Sequence, residues 1–167
     1  MPPGREAAPR RKVAPTELAG PGVGRAIVAA SLGGTVVLTV TSLAAAVAPR
    51  TLDVPALVID LGMFFAGITI FVWAYLVAIG RSRISEVALG GVFGLAGSTP
   101  SAVRVRLLGS LAVELVVVFA TAAARPYTTL AFGILAPMWA LALAGLWGAR
   151  HGAFPPRQDP RGARRTR

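Results

Sequence analysis

The chain has 167 residues, 54% of them hydrophobic, with 17 Lys and Arg against 7 Asp and Glu and a formal net charge of +10. A soluble domain of this length needs more surface charge than 14% charged residues supply. The absence of Cys excludes a disulfide framework and thiolate metal sites. A lone His, His151, leaves His-clustered metal sites and Ser–His or Cys–His nucleophile pairs almost without partners.

Residues 1–25 form a basic tail broken by Pro2, Pro3, Pro9, Pro15 and Pro21, which predicts disorder. Residues 26–48 follow without a charge. At ~1.5 Å rise per residue they cross a hydrocarbon layer of about 30 Å with some tilt. Ala46-Val47-Ala48 has the small-residue form of a signal cleavage site, but the apolar run is too long for a signal h-region. Retention as a membrane helix is the reading.

Residues 49–55 read as a short turn and 56–79 as the second span. A connection over 80–106 carries Arg81, Arg83, Arg104 and Arg106. Within it, Ile84, Val87, Ala88, Val92 and Leu95 repeat with helical spacing. That pattern suits a short helix lying in the interface, or a re-entrant segment if protein covers its glycines. The third span is 107–124 and the fourth 128–149, joined by a tight turn at Arg125-Pro126. A second basic tail, 150–167, holds Arg157, Arg161, Arg164, Arg165 and Arg167, each worth about 1 kcal/mol against an anionic inner leaflet.

Fifteen of the positive residues fall in the two tails and the 80–106 connection. Only Arg50 and Arg125 fall in the other two gaps. The positive-inside rule therefore predicts both termini in the cytoplasm. The expected fold is all-α: a polytopic membrane protein of four helices arranged as two hairpins, in a cell membrane of the bacterial inner-membrane type. Tyr127 and Trp147 are expected at the outer and inner boundaries, where amphipathic rings prefer headgroups. The charges flank lipid-length segments, which favours anionic lipid over nucleic acid as their partner.

Glu114 is the residue most in need of explanation. It lies ~10 Å into a ~30 Å layer, where a carboxylate costs ~2.5–3.5 kcal/mol on insertion scales. Protonation, a bound cation or a buried donor must offset that cost. Donors expected at similar depth are Thr35, Thr39, Thr69 and Trp139, although membrane Thr also bonds its own i−4 carbonyl. Pro137 cannot donate an N–H, so it frees the carbonyl of Gly133. Asp60 is expected one turn below the outer boundary, ion-paired with Arg50 or Arg125. Small residues at every fourth position (Ala26, Ala30, Gly34 and Ala136, Ala140, Ala144, Gly148) permit close helix approach, inside the bundle or against another subunit.

No motif assigns a reaction, and neither cofactor nor metal is expected. The first reading is a non-enzymatic accessory, assembly or regulatory subunit that acts by helix packing, with a membrane-protein partner or as a homo-oligomer. The alternative is a small oligomeric proton- or ion-coupled transporter or channel that uses Glu114.

Overall fold

The structure, a computed structural model, describes residues 24–82, 92–95 and 99–152. The basic tails, including Arg157, Arg161, Arg164, Arg165 and Arg167, and most of the expected interfacial or re-entrant segment lie outside the described residues. Helix α1 is Arg25–Val47, α2 Pro49–Ser82 and α3 Ser101–Ala124. A 3-10 segment, Thr129–Leu135, precedes α4, Met138–His151. Four spans, Arg25–Val47, Pro49–Ser82, Ser101–Ala124 and Thr129–His151, are long and apolar enough to cross a membrane.

Prolines set the boundaries. The residue before a proline is driven out of the α region. Ala48 before Pro49 sits at φ −124°, ψ 63°, and Arg125 before Pro126 at φ −134°, ψ 64°. In both, the N–H still reaches back four residues, to Ala44 and Thr121 at 2.9 and 3.0 Å. After Ala48 the chain re-enters a helix at once, because Pro49 is tolerated in a first turn. The expected turn at 49–55 is therefore helical, and α2 runs 34 residues, about 51 Å. Helix α3 likewise starts earlier than its apolar core, at Ser101, and carries Arg104 and Arg106 exposed in its first turns.

The fourth span is not one continuous α-helix. Pro137 lacks the N–H that would bond the Gly133 carbonyl and its ring crowds that carbonyl. Gly133 O is not left free; it accepts the Ala136 N–H at 2.9 Å, and the chain tightens into 3-10 geometry before α4 begins. Seven residues is long for a 3-10 run and marks a strained or hinging stretch.

The helices pack mainly as two parallel pairs, α1 with α3 and α2 with α4. Three contacts between α1 and α3, Ser31–Ser110, Thr35–Glu114 and Ala46–Arg125, share one offset of 79 residues, so the two run side by side in register. Along α2 and α4, Asp60 meets Gly133, Gly67 meets Met138 and Arg81 meets Ala149, again in ascending order. An arginine clips each pair. Arg125, following α3, bonds Ala46 O at the end of α1 (2.8 Å). Arg81, near the end of α2, bonds Ala149 O and Gly152 O at the end of α4 (2.7 and 3.0 Å). Cations suit helix C-termini, whose last carbonyls lack intrahelical donors.

Helix α4 is buried on nearly every side, and its stripe Ala140, Ala144, Gly148 serves the bundle interior. Gly148 and Gly145 face Val92 and Phe93, and Phe93 stacks on Phe71 at 4.9 Å. This described part of the connection is thus covered by protein. Trp147, expected at a boundary, is 0% exposed in a cluster with Val28, Leu95, Leu107 and Ala144. Tyr127 is fully exposed at the opposite end.

At Gly67 the backbones of α2 and α4 approach closely, since a Cβ there would lie 2.8 Å from the Met138 carbonyl carbon. Gly67→Ala is expected to destabilise the protein by about 1–3 kcal/mol in reversible unfolding from mixed micelles. Gly62→Ala, where an added Cβ meets nothing within 4 Å, should be neutral or stabilising by about 0.5–1 kcal/mol.

Candidate functional site

Buried residues recur along α1 at Val28, Ser31, Thr35, Leu38, Ser42 and Ala45, and along α3 at Leu107, Ser110, Glu114, Val118 and Thr121. Steps of three and four keep each set on one helix face. The in-register pairing turns those faces into layers. At the end of the bundle where Gly24 approaches Trp147 and His151, Leu107 packs on Val28, Ala144 and Trp147. Next come Ser31, Ser110, Thr35 and Glu114. Then an apolar layer follows of Leu38, Val118 and Ala136, with Met63 against it. Asp60 lies beside Gly133 and Val118, and Ala45, Ala56 and Leu130 close the turn end.

Glu114 is 0% exposed. Its Oε1 accepts from Thr35 Oγ1 at 2.8 Å, and the Thr35 hydroxyl is also 3.0 Å from Ser31 O. Ser110 Oγ donates to Leu107 O at 2.8 Å. Its single hydrogen is thereby used, so Ser31 donates in the 2.6 Å Ser31–Ser110 contact. The backbone N–H of Ala140, in the first turn of α4, approaches the Glu114 carboxyl, yet Oε2 has no partner in hydrogen-bonding geometry.

Of the other expected donors, Trp139 is near but turned to another task. Its Nε1 donates to Ala30 O at 3.2 Å, and the ring occupies the notch left by Gly34. The Ala30–Gly34 part of the α1 stripe therefore seats this indole, while Ala26 is exposed. Thr69 does not join the layer: it is exposed and bonds its own Phe65 carbonyl at 3.0 Å. Thr39 is half-buried and also stands outside the Glu114 contacts. Sequence reasoning missed Ser31 and Ser110. The signal was available, since Ser31/Thr35 and Ser110/Glu114 share an i, i+4 spacing.

Asp60 differs most from expectation. It is 1% exposed, and neither carboxyl oxygen has a hydrogen-bond partner among the described residues. The expected ion pair with Arg50 or Arg125 is not formed. Arg125 is committed to Ala46 O, and Arg50 is exposed. The cause is the longer α2, in which Asp60 sits about three turns from the start. Gly133 makes room for it: a Cβ there would be 3.1 Å from Asp60 Oδ2.

The site is therefore two buried carboxyls in separate layers, flanking the junction where the 3-10 segment gives way to α4. Its groups can hold and release protons or form hydrogen bonds. Among the described residues, no three His, Cys, Asp or Glu side chains converge as a metal site needs. Comparison with known proteins returned no matching family model, no matching curated protein and no matching solved structure.

Thr35→Val is expected to cost about 1–2 kcal/mol, because it strips Glu114 Oε1 of a buried partner. Thr39→Val and Thr69→Val should each stay within about 0.5 kcal/mol. Denaturant unfolding of the three variants in one detergent checks the difference.

Proposed function

We propose that this chain is a multi-pass protein of the cell membrane that performs no reaction of its own and acts as an accessory, assembly or regulatory subunit seated against other membrane components. The observation that carries the reading is a pair of outward glycines. Gly33 on α1 and Gly62 on α2 are exposed, and a Cβ at either meets nothing within 4 Å. Ala29, also exposed, precedes Gly33 by one turn. In lipid, such small faces favour association by letting a second helix approach closely, whereas facing acyl chains they gain nothing over Leu. Around them the surface is apolar, with Val36, Val37, Val40, Val58 and Phe65 exposed.

The distribution of arginine supports an orientation with both termini cytoplasmic and the two proline turns outside. On the cytoplasmic side the tail arginines then meet anionic lipid.

Two experiments test this. The chain has no Cys, so single-cysteine variants report topology cleanly. Tyr127→Cys is expected to react with an impermeant maleimide from outside intact cells, and Arg161→Cys only after lysis; the opposite result reverses the orientation. For the packing role, the tagged protein should recover a stoichiometric membrane partner or a second copy of itself. Gly33→Leu or Gly62→Leu should reduce that recovery at least about tenfold, since a loss of 1.4 kcal/mol is a factor of ten. Unaltered recovery in both variants would remove these faces from the interface.

A further inference from the structure

We propose that Glu114 and Asp60 are a pair of exchangeable proton-binding groups in the membrane interior, one on each side of the break in the fourth span. The proposal rests on the four spans lying in a membrane and is independent of any partner subunit.

Three of the four carboxyl oxygens, Glu114 Oε2 and Asp60 Oδ1 and Oδ2, are buried and without hydrogen-bond partners among the described residues. Among the described residues, no charged group acts on either carboxyl. Glu114 faces Thr35 of α1 and Ala140 of α4, with Ser31 and Ser110 beyond Thr35. Asp60 faces Gly133 of the 3-10 segment, and Val118 of α3 approaches the same side of that glycine. The nearest acid on its own helix is Asp53, two turns earlier on the same face, whose Oδ1 is likewise buried and unpartnered. A bare carboxylate in such surroundings costs several kcal/mol. An alkali or alkaline-earth cation would relieve it only with about six oxygen ligands; Gly133 and Val118 bring no side-chain oxygen to Asp60, and at Glu114 the Ser31 and Ser110 hydroxyls are already bonded to each other. A proton needs no further ligand.

The hydrogen count at Glu114 points the same way. Thr35 owns one hydroxyl hydrogen but lies within bonding distance of two acceptors, Ser31 O and Glu114 Oε1. If Glu114 carries a proton on Oε1, it donates to Thr35 Oγ1 and Thr35 donates to Ser31 O, and the conflict disappears. Binding is simple addition: a carboxylate lone pair takes up H⁺ to give the O–H, and release reverses it without electron transfer.

Between the two acids stand Leu38, Val118, Ala136 and Met63. Ala136 is also the junction residue, where the ladder switches from 3-10 to α. The apolar barrier between the proton sites is thus built at the place where the fourth span can bend.

The test uses the full chain reconstituted in liposomes. It is treated with the hydrophobic reagent dicyclohexylcarbodiimide or with a water-soluble carbodiimide, both of which modify protonated carboxyls, and mapped by peptide mass spectrometry. The hydrophobic reagent is expected to modify Glu114 and Asp60, several-fold less at high pH, with no protection by sodium. Glu114→Gln and Asp60→Asn should each remove only their own adduct. Infrared spectroscopy supplies a reading free of reagent access: two protonated-carboxyl bands, one lost in each variant, and this decides where labelling fails. Absence of both bands overturns the proposal. Protection by sodium overturns the proton assignment in favour of a cation site. Equal modification by the water-soluble reagent overturns the membrane placement on which the proposal rests.

Discussion

The register between α1 and α3 is the constraint on which the interior depends. Hydroxyl and carboxyl groups in an apolar medium have no water to turn to, so their partners must come from the neighbouring helix. Ser31 meets Ser110 and Thr35 meets Glu114 only if the two helices run parallel with their faces aligned. A slip of one residue would rotate Glu114 by about 100° and take it off Thr35. The same register places Arg125 over the last carbonyls of α1. One alignment therefore brings together a polar layer in the middle and covers a helix terminus at the end.

The second pair is organised differently. Helix α2 is long and continuous, while its partner is interrupted at Pro137. The interruption moves the 3-10 segment against Asp60 through Gly133 and leaves α4 free to sit at the centre of the bundle. There its small residues accept Phe93 and Val92 at short range, and its own Trp139 fills the notch at Gly34 of α1. Order is concentrated at the ends, where arginines hold the pairs together, and irregular geometry is concentrated near the middle.

Four long apolar stretches are legible in composition: 26–48 and 128–149 hold no charge, and 56–79 and 107–124 hold one carboxyl each, Asp60 and Glu114. Helix α1, Arg25–Val47, is displaced by one residue from the expected 26–48, and of the donors expected for Glu114 among the described residues Thr35 is the one that bonds it. What escaped prediction depended on which way a face turns. Thr69 is apolar-flanked on both sides, and nothing local says that it points outward. Asp60 looked interfacial because Pro49 and Pro55 suggested a loop, yet both are accommodated in α2. Pro137 was recognised as a lost donor, but the capture of Gly133 O by Ala136, and with it the 3-10 segment, follows from tertiary packing against α2 and α3.

The separation of 79 residues between Thr35 and Glu114 bears on biogenesis. The first span leaves the ribosome long before the third, and until then its Ser31 and Thr35 hydroxyls have only their own backbone to bond. Its final partner cannot be chosen while α1 itself is being made. Glu114 follows 79 residues later, as the more demanding group, and finds Thr35 already made. The order of synthesis and the order of assembly are thereby linked: α1 is a template for a helix not yet made.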